Sequence, residues 1–158
     1  MVKKESRLKS KRLLLMGSSA FNSELPAEVK ARIDYAMAGK RKIIVGEAPG
    51  ACRLYQDYLK LEGYRNVIVG HAVRSRYNAG NWKHLKYGKD MKERERNMIE
   101  DCDSAIAFWM DNSSVISENL ELLKRLKKPT YLYEYSSETS FARGGELDPI
   151  RTYDAFIS

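Results

Sequence analysis

Residues Lys42–Arg53 read KIIVGEAPGACR. Ile43, Ile44 and Val45 form a short continuous apolar run that stops at Gly46, and Pro49 then opens a helical stretch reaching about Glu62, with Gly63 beyond it. An apolar run of this length bounded by glycine reads as a buried strand, and proline at a helix start followed by glycine at its end marks the helix that covers it. The same grammar repeats outward in both directions. Arg12–Gly17 (RLLLMG) precedes Gly-Ser-Ser; Pro26 opens a helix with Val29, Ile33 and Met37 four apart, closed by Gly39; Asn66–Gly70 (NVIVG), Ser104–Trp109 (SAIAFW) and Pro129–Tyr133 (PTYLY) supply three more strands. A helix is expected from near Lys89 to Asp103, and another after the polar turn Asp111–Ser114, carrying Leu120, Leu123 and Leu126.

Near-continuous apolar strands alternating with helices predict an α/β fold: a Rossmann-like, doubly wound sheet of about five parallel strands with helices on both faces and right-handed crossovers. Residues 71–88, rich in Arg, Asn, Gly and aromatic residues including Trp82 and Tyr87, break the rhythm and read as a long loop. The expected organisation is a basic arm at 1–11, the domain at 12–135, and a C-terminal extension at 136–158 that caps an edge or reaches a partner subunit.

The chain has 158 residues, 43% hydrophobic and 31% charged, which fits one domain and excludes a disordered tail. No apolar run approaches the ~20 residues of a membrane span. Cys52 and Cys102 are too few for a disulfide framework, and with only His71 and His84 no zinc cluster is expected; a reducing cytoplasm is the default compartment. Of the formal charge of +7, the first twelve residues carry +5, from Lys3, Lys4, Arg7, Lys9, Lys11 and Arg12 against Glu5. Such an arm reads either as a solvated terminus or as a contact for nucleic acid, and it lacks the apolar stretch of a secretory signal.

In open α/β sheets ligands sit beyond the carboxyl ends of the strands, at the point where strand order reverses. That rule selects the segments Gly17–Phe21, Gly46–Arg53, Gly70–Arg76 and Met110–Glu118. Gly46 and Gly50 let backbone approach a ligand, and the helix opening near Pro49 aims free N–H groups and a positive dipole end at an anion. Ser18 and Ser19 offer hydroxyls to a phosphate or ribose, or cap a turn. Arg94 and Met98 share a helix face, and arginine there can fork onto a phosphate, or remain solvated. Asp111, Asn112, Ser113 and Ser114 are helix-capping turn formers that can equally bond a ribose or base.

The ordered series of Gly-Ser-Ser after strand one, VGEAPGACRL, Arg-x-x-x-Met, DSAIAFWMDNSS and KKPTYLY resembles the SLOG superfamily, Rossmann-like nucleotide-binding domains of the DprA/LOG type with small YspA-like members, over roughly residues 12–133. The resemblance implies a nucleotide-type ligand held by Gly17, Ser18, Ser19, Gly46, Glu47, Ala48, Gly50, Arg53, Arg94, Met98, Asp111, Asn112 and Ser113, with no cofactor or metal. Departures are specific. Ser19 replaces an arginine; Glu47, Pro49 and Cys52 interrupt the second turn; Val115 and Ile116 fall where relatives carry Gly-Thr; Asn119 falls where enzyme members carry glutamate, with Glu118 adjacent.

Three functions stay open. The first is a non-catalytic nucleotide-binding or sensing domain, with Arg94 on a phosphate and Asp111 and Ser113 on ribose or base. The second is a nucleotide N-glycosidase or deoxyribosyltransferase-like enzyme with Glu118 as its catalytic acid, or else Glu47. The third is a nucleic-acid-associated protein using the basic arm, by analogy with DprA. A homodimer that completes the neighbour's pocket is a further expectation.

Overall fold

The computed structural model describes residues 11–153 except 22. Seven strands, β1 (Arg12–Gly17), β2 (Lys42–Val45), β3 (Val67–His71), β4 (Lys83–Lys86), β5 (Ser104–Met110), β6 (Thr130–Ser136) and β7 (Phe141–Glu146), form one sheet in the order β4-β3-β2-β1-β5-β6-β7. All neighbouring pairs are parallel except β6–β7, which is antiparallel. The four helices are α1 (Ala27–Ala38), α2 (Ala51–Leu61), α3 (Met91–Asp101) and α4 (Ser114–Arg125).

Strand alternation divides the core. Leu13 and Leu15 pack with Val29, Ile33, Tyr55 and Leu59 of α1 and α2, whereas Leu14 and Met16 pack with Ile99, Leu120 and Leu123 of α3 and α4. Burial on both faces is why β1 reads as unbroken apolar sequence rather than as an alternating pattern. Strand order reverses between β1 and β5, so the carboxyl ends of these two strands form the switch point.

Two strands go beyond the five expected. All four residues of β4 are exposed, so it carries no apolar signal, and it joins the sheet by pairing Ile68–His71 with Lys83–Lys86. The 71–88 segment is therefore partly regular and tightly fixed. Asn78 bonds both the N–H and the carbonyl of Trp82, the Trp82 indole N–H donates to Tyr64 O at 2.9 Å, and the ring lies in the α1/α2 core. A buried tryptophan here does the anchoring that a crossover helix does elsewhere.

In the tail, β7 caps the β6 edge, and Tyr153 is fully buried on the α3/α4 face. Residues 136–153, read as an extension, are thus built into the sheet and core. The basic arm lies outside the described residues, except Lys11. Among the described residues no helix is long and apolar enough to cross a membrane.

Candidate functional site

A cleft of ≈ 550 Å³ opens at the switch point. Its walls come from the end of β1 (Gly17–Ala20), the β2–α2 turn (Ala48, Cys52), the first turn and middle of α3 (Met91, Lys92, Arg94, Glu95), the end of β5 and the start of α4 (Met110, Asp111, Ser113–Ile116, Glu118, Asn119).

Glycine is required where these loops meet. A Cβ on Gly17 would sit 2.6 Å from Ala51 Cβ and 2.9 Å from Phe108 Cβ, so only glycine lets the α2 start press against the end of β1. Gly50, the N-cap of α2, has φ of +89°, a conformation natural to glycine, and a Cβ there would strike the backbone of Ser19. The β1 and β5 ends are stitched by Ser18. Its N–H donates to Phe108 O at 3.0 Å, its Oγ accepts from Met110 N–H at 2.9 Å, and it lies 3.2 Å from Ser113 Oγ.

Ser113 caps α4 by position but makes no side-chain cap hydrogen bond. The first turn of α4 lines the cleft through Ser114, Val115 and Ile116, and its free N–H groups have no cap from the Ser113 side chain. Asp111 and Asn112 both have φ near +51 to +52°, a left-handed turn that Asp and Asn tolerate. This turn aims the Asp111 carboxylate away from the cleft, where it accepts from Ser137 N–H at 2.8 Å and Ser137 Oγ–H at 2.6 Å.

Arg94 dominates the electrostatics. It is 1% exposed, and Nη2 donates to Glu95 Oε1 at 2.9 Å. Its Nε and Nη1 are buried with no hydrogen-bond partner among the described residues. Glu95 is held in turn by Asn119, whose Nδ2 donates to Oε2 at 3.3 Å. A guanidinium with unpartnered donors in a nearly dry wall is costly to the fold alone and suited to an anionic or strongly polar ligand. The Cys52 thiol, also in this wall, is pushed up to about 12 by burial, then by the Glu95 charge, with Arg94 opposing. It stays protonated near neutral pH and is a poor nucleophile.

The cleft gathers Gly17, Ser18, Ser19, Ala48, Arg94, Asp111, Ser113, Ser114 and Glu118 of the residues offered to a ligand in the sequence. The others lie elsewhere. Glu47 is fully buried and accepts from the N–H groups of Arg76 and of Tyr77, the latter at 3.0 Å, with Arg76 Nε 3.6 Å away; it fastens the β3–β4 connection. Arg53 donates to Glu47 O at 3.2 Å and lies over the Tyr77 ring. Met98 is in the core against Gly70. Gly46 lies behind the cleft wall, 3.6 Å from Arg94 Nη2 at its Cβ position, and Gly50 supports the wall without lining it. Asn112 borders a neighbouring hollow instead.

Sequence reasoning missed Glu95, Met91 and Lys92 as wall residues. Adjacent helix positions point ~100° apart, so nothing in the spacing pairs Glu95 with Arg94. Glu118 and Asn119, also adjacent, both reach the cleft, Glu118 at the exposed rim and Asn119 buried on Glu95. Among the described residues no group of three or more His, Cys, Asp or Glu is placed to hold a metal ion.

The fold and site together define a doubly wound α/β domain with a cleft at its switch point, into whose wall Arg94 is built. No family model matches the chain, and no curated protein matches it significantly.

Proposed function

We propose that this chain is a nucleotide-binding or nucleotide-sensing domain of the SLOG type. It would hold a nucleotide or nucleotide derivative over the ends of β1 and β5. The observation that carries this reading is the Arg94 guanidinium, buried in the cleft with Nε and Nη1 unpartnered. Arg94 and the first turn of α4 take the phosphoryl group; Ser18 and Ser113 take a ligand oxygen; Glu118 at the rim takes a ribose hydroxyl or base edge, the role the sequence offered to Asp111. Any ligand that binds only the folded state raises the apparent melting temperature. A thermal-shift screen against nucleotides, with mass spectrometry of protein purified from cells, tests the reading. A shift or a retained nucleotide supports it, and neither appearing overturns it.

A second reading, cleavage of an N-glycosidic bond, draws on Glu118 bordering the same cleft as Arg94. A carboxylate near the anomeric carbon and an arginine on the phosphate are the minimum for that chemistry. Incubation with nucleoside monophosphates followed by chromatography separates the two. Free base lost on Glu118→Ala favours the enzyme; no free base from any monophosphate excludes it.

A further inference from the structure

The charges of the cleft wall bear on its ligand's charge. Lys92 and Arg94 are its cations, and Glu95, Asp111 and Glu118 its carboxylates. The Asp111 carboxylate is turned to Ser137. Glu95 neutralises Arg94 at 2.9 Å and is itself tied by Asn119, so it is held in place beside whatever Arg94 binds. Lys92 and Glu118 offset one another in formal charge. What remains are the N-terminal ends of α2 and α4, neither with a side-chain cap, each equivalent to about half a positive charge. With Asp111 left out of the balance, because its carboxylate sits on Ser137 in the neighbouring hollow, the wall presents at most roughly one unit of positive potential, with three Arg94 N–H bonds still to be made.

We infer that the cleft selects a phosphoryl group bearing a single negative charge, a phosphodiester, over the dianion of a phosphomonoester or the larger charge of a pyrophosphate. This rests on the nucleotide-binding reading above. A diester fits because one anionic charge meets Arg94 and the helix ends, while the neutral Ser18 and Ser113 hydroxyls, 3.2 Å apart, donate to its remaining oxygens without adding charge. A terminal phosphate near −2 at neutral pH places its second charge against Glu95, which cannot withdraw, and against Glu118 at the rim.

The experiment compares ligands that differ by one charge and little else: each nucleoside 5′-monophosphate against its 5′-methyl phosphate ester, for all four common bases, by calorimetry at pH 7.5 and low salt. The corresponding nucleoside, 5′-diphosphate and 3′,5′-cyclic monophosphate complete the series. The expected result is that, for the preferred base, the methyl ester and the cyclic form bind at least about tenfold more tightly than the monophosphate, and the diphosphate most weakly. Glu118→Gln, an exposed substitution, should narrow the ester–monophosphate gap by about threefold. A monophosphate or diphosphate that binds as tightly as the ester overturns the inference and leaves the nucleotide reading standing. A nucleoside that binds as tightly as the ester overturns it too, because no anion is then being read. Absence of binding by every member of the series overturns the nucleotide reading together with the inference.

Discussion

At the residue scale, Arg94 bears a cost to the fold, with Nε and Nη1 buried and unpartnered among the described residues. A buried group with missing hydrogen bonds typically costs about 1–3 kcal/mol, and breaking such a pair from one side normally costs more. Here Glu95 retains Asn119 and a fifth of its side-chain exposure, so it is not stranded by loss of the arginine. Arg94→Met is expected to keep the unliganded melting temperature within about 3 °C of the parent, the shift of roughly 1 kcal/mol in a domain of this size, while abolishing any nucleotide-induced shift. A large loss of stability with ligand binding intact contradicts that assignment. Glu47 is the converse case. Glu47→Ala strands the N–H groups of Arg76 and Tyr77 and should cost about 2–5 kcal/mol in denaturant unfolding, with nucleotide affinity nearly unchanged under native conditions. A selective loss of affinity without loss of stability would return Glu47 to the site. The sequence pointed to Arg94 through the Arg-x-x-x-Met pattern, although an arginine on a charged helix reads equally as a solvated face, and the structure puts it in the cleft wall. The sequence misplaced Glu47, because a glutamate after a strand-end glycine looks the same whether it faces a ligand or a neighbouring loop.

At the element scale, the site depends on how closely α2 approaches the end of β1. Gly50→Ala forces a side chain into left-handed backbone and against Ser19, so it should lower stability and weaken nucleotide binding together, through displacement of the α2 N-terminus. Unchanged affinity in that variant would show that α2 plays no part in the site. The contrast with Asp90, the N-cap of α3, is useful: its carboxylate accepts from Glu93 N–H at 2.8 Å, and Asp90→Ala should cost about 1 kcal/mol of stability, read from the denaturant midpoint. The five buried strands and four helices were legible because burial writes itself into apolar runs and helical spacing. The two edge strands were not. KHLK of β4 is wholly exposed and FARGGE of β7 nearly so, and both are held through backbone pairing to a neighbour, which leaves no hydrophobic pattern to read.

At the scale of the whole molecule, the tail and the buried acids and thiols set the limits of stability. Tyr153 N–H donates to Glu121 at 2.6 Å, Lys124 Nζ donates to Arg151 O at 3.0 Å, and Arg151 pairs with Glu134, tying residues 147–153 to α4 and β6. Burial alone would raise the Glu134 carboxyl, but bonds from Arg151 and Arg143 outweigh it and hold it below its ordinary range. At the alkaline end, burial pushes Cys52 up to about 12 and Cys102 up to about 11, and raises Tyr55 and Tyr87 as well. The unfolded chain then loses these protons before the folded one does, so the stabilisation is complete below about pH 9 and declines as pH rises toward 11–12. Denaturant midpoints should fall across that window. A flat profile between pH 8 and 11 would mean that these groups titrate alike in both states.

The cleft itself converges only in three dimensions, from four stretches spread between Gly17 and Asn119. The switch-point rule pointed to the strand-end stretches, while the pairing of Arg94, Glu95 and Asn119 depends on how α3 and α4 pack. The most direct test is calorimetric titration of nucleotides into the intact chain and into Arg94→Met. The account predicts saturable binding to the parent and none to the variant, with both folded. Nucleotide binding that survives the loss of Arg94, or its absence in the parent, would contradict it.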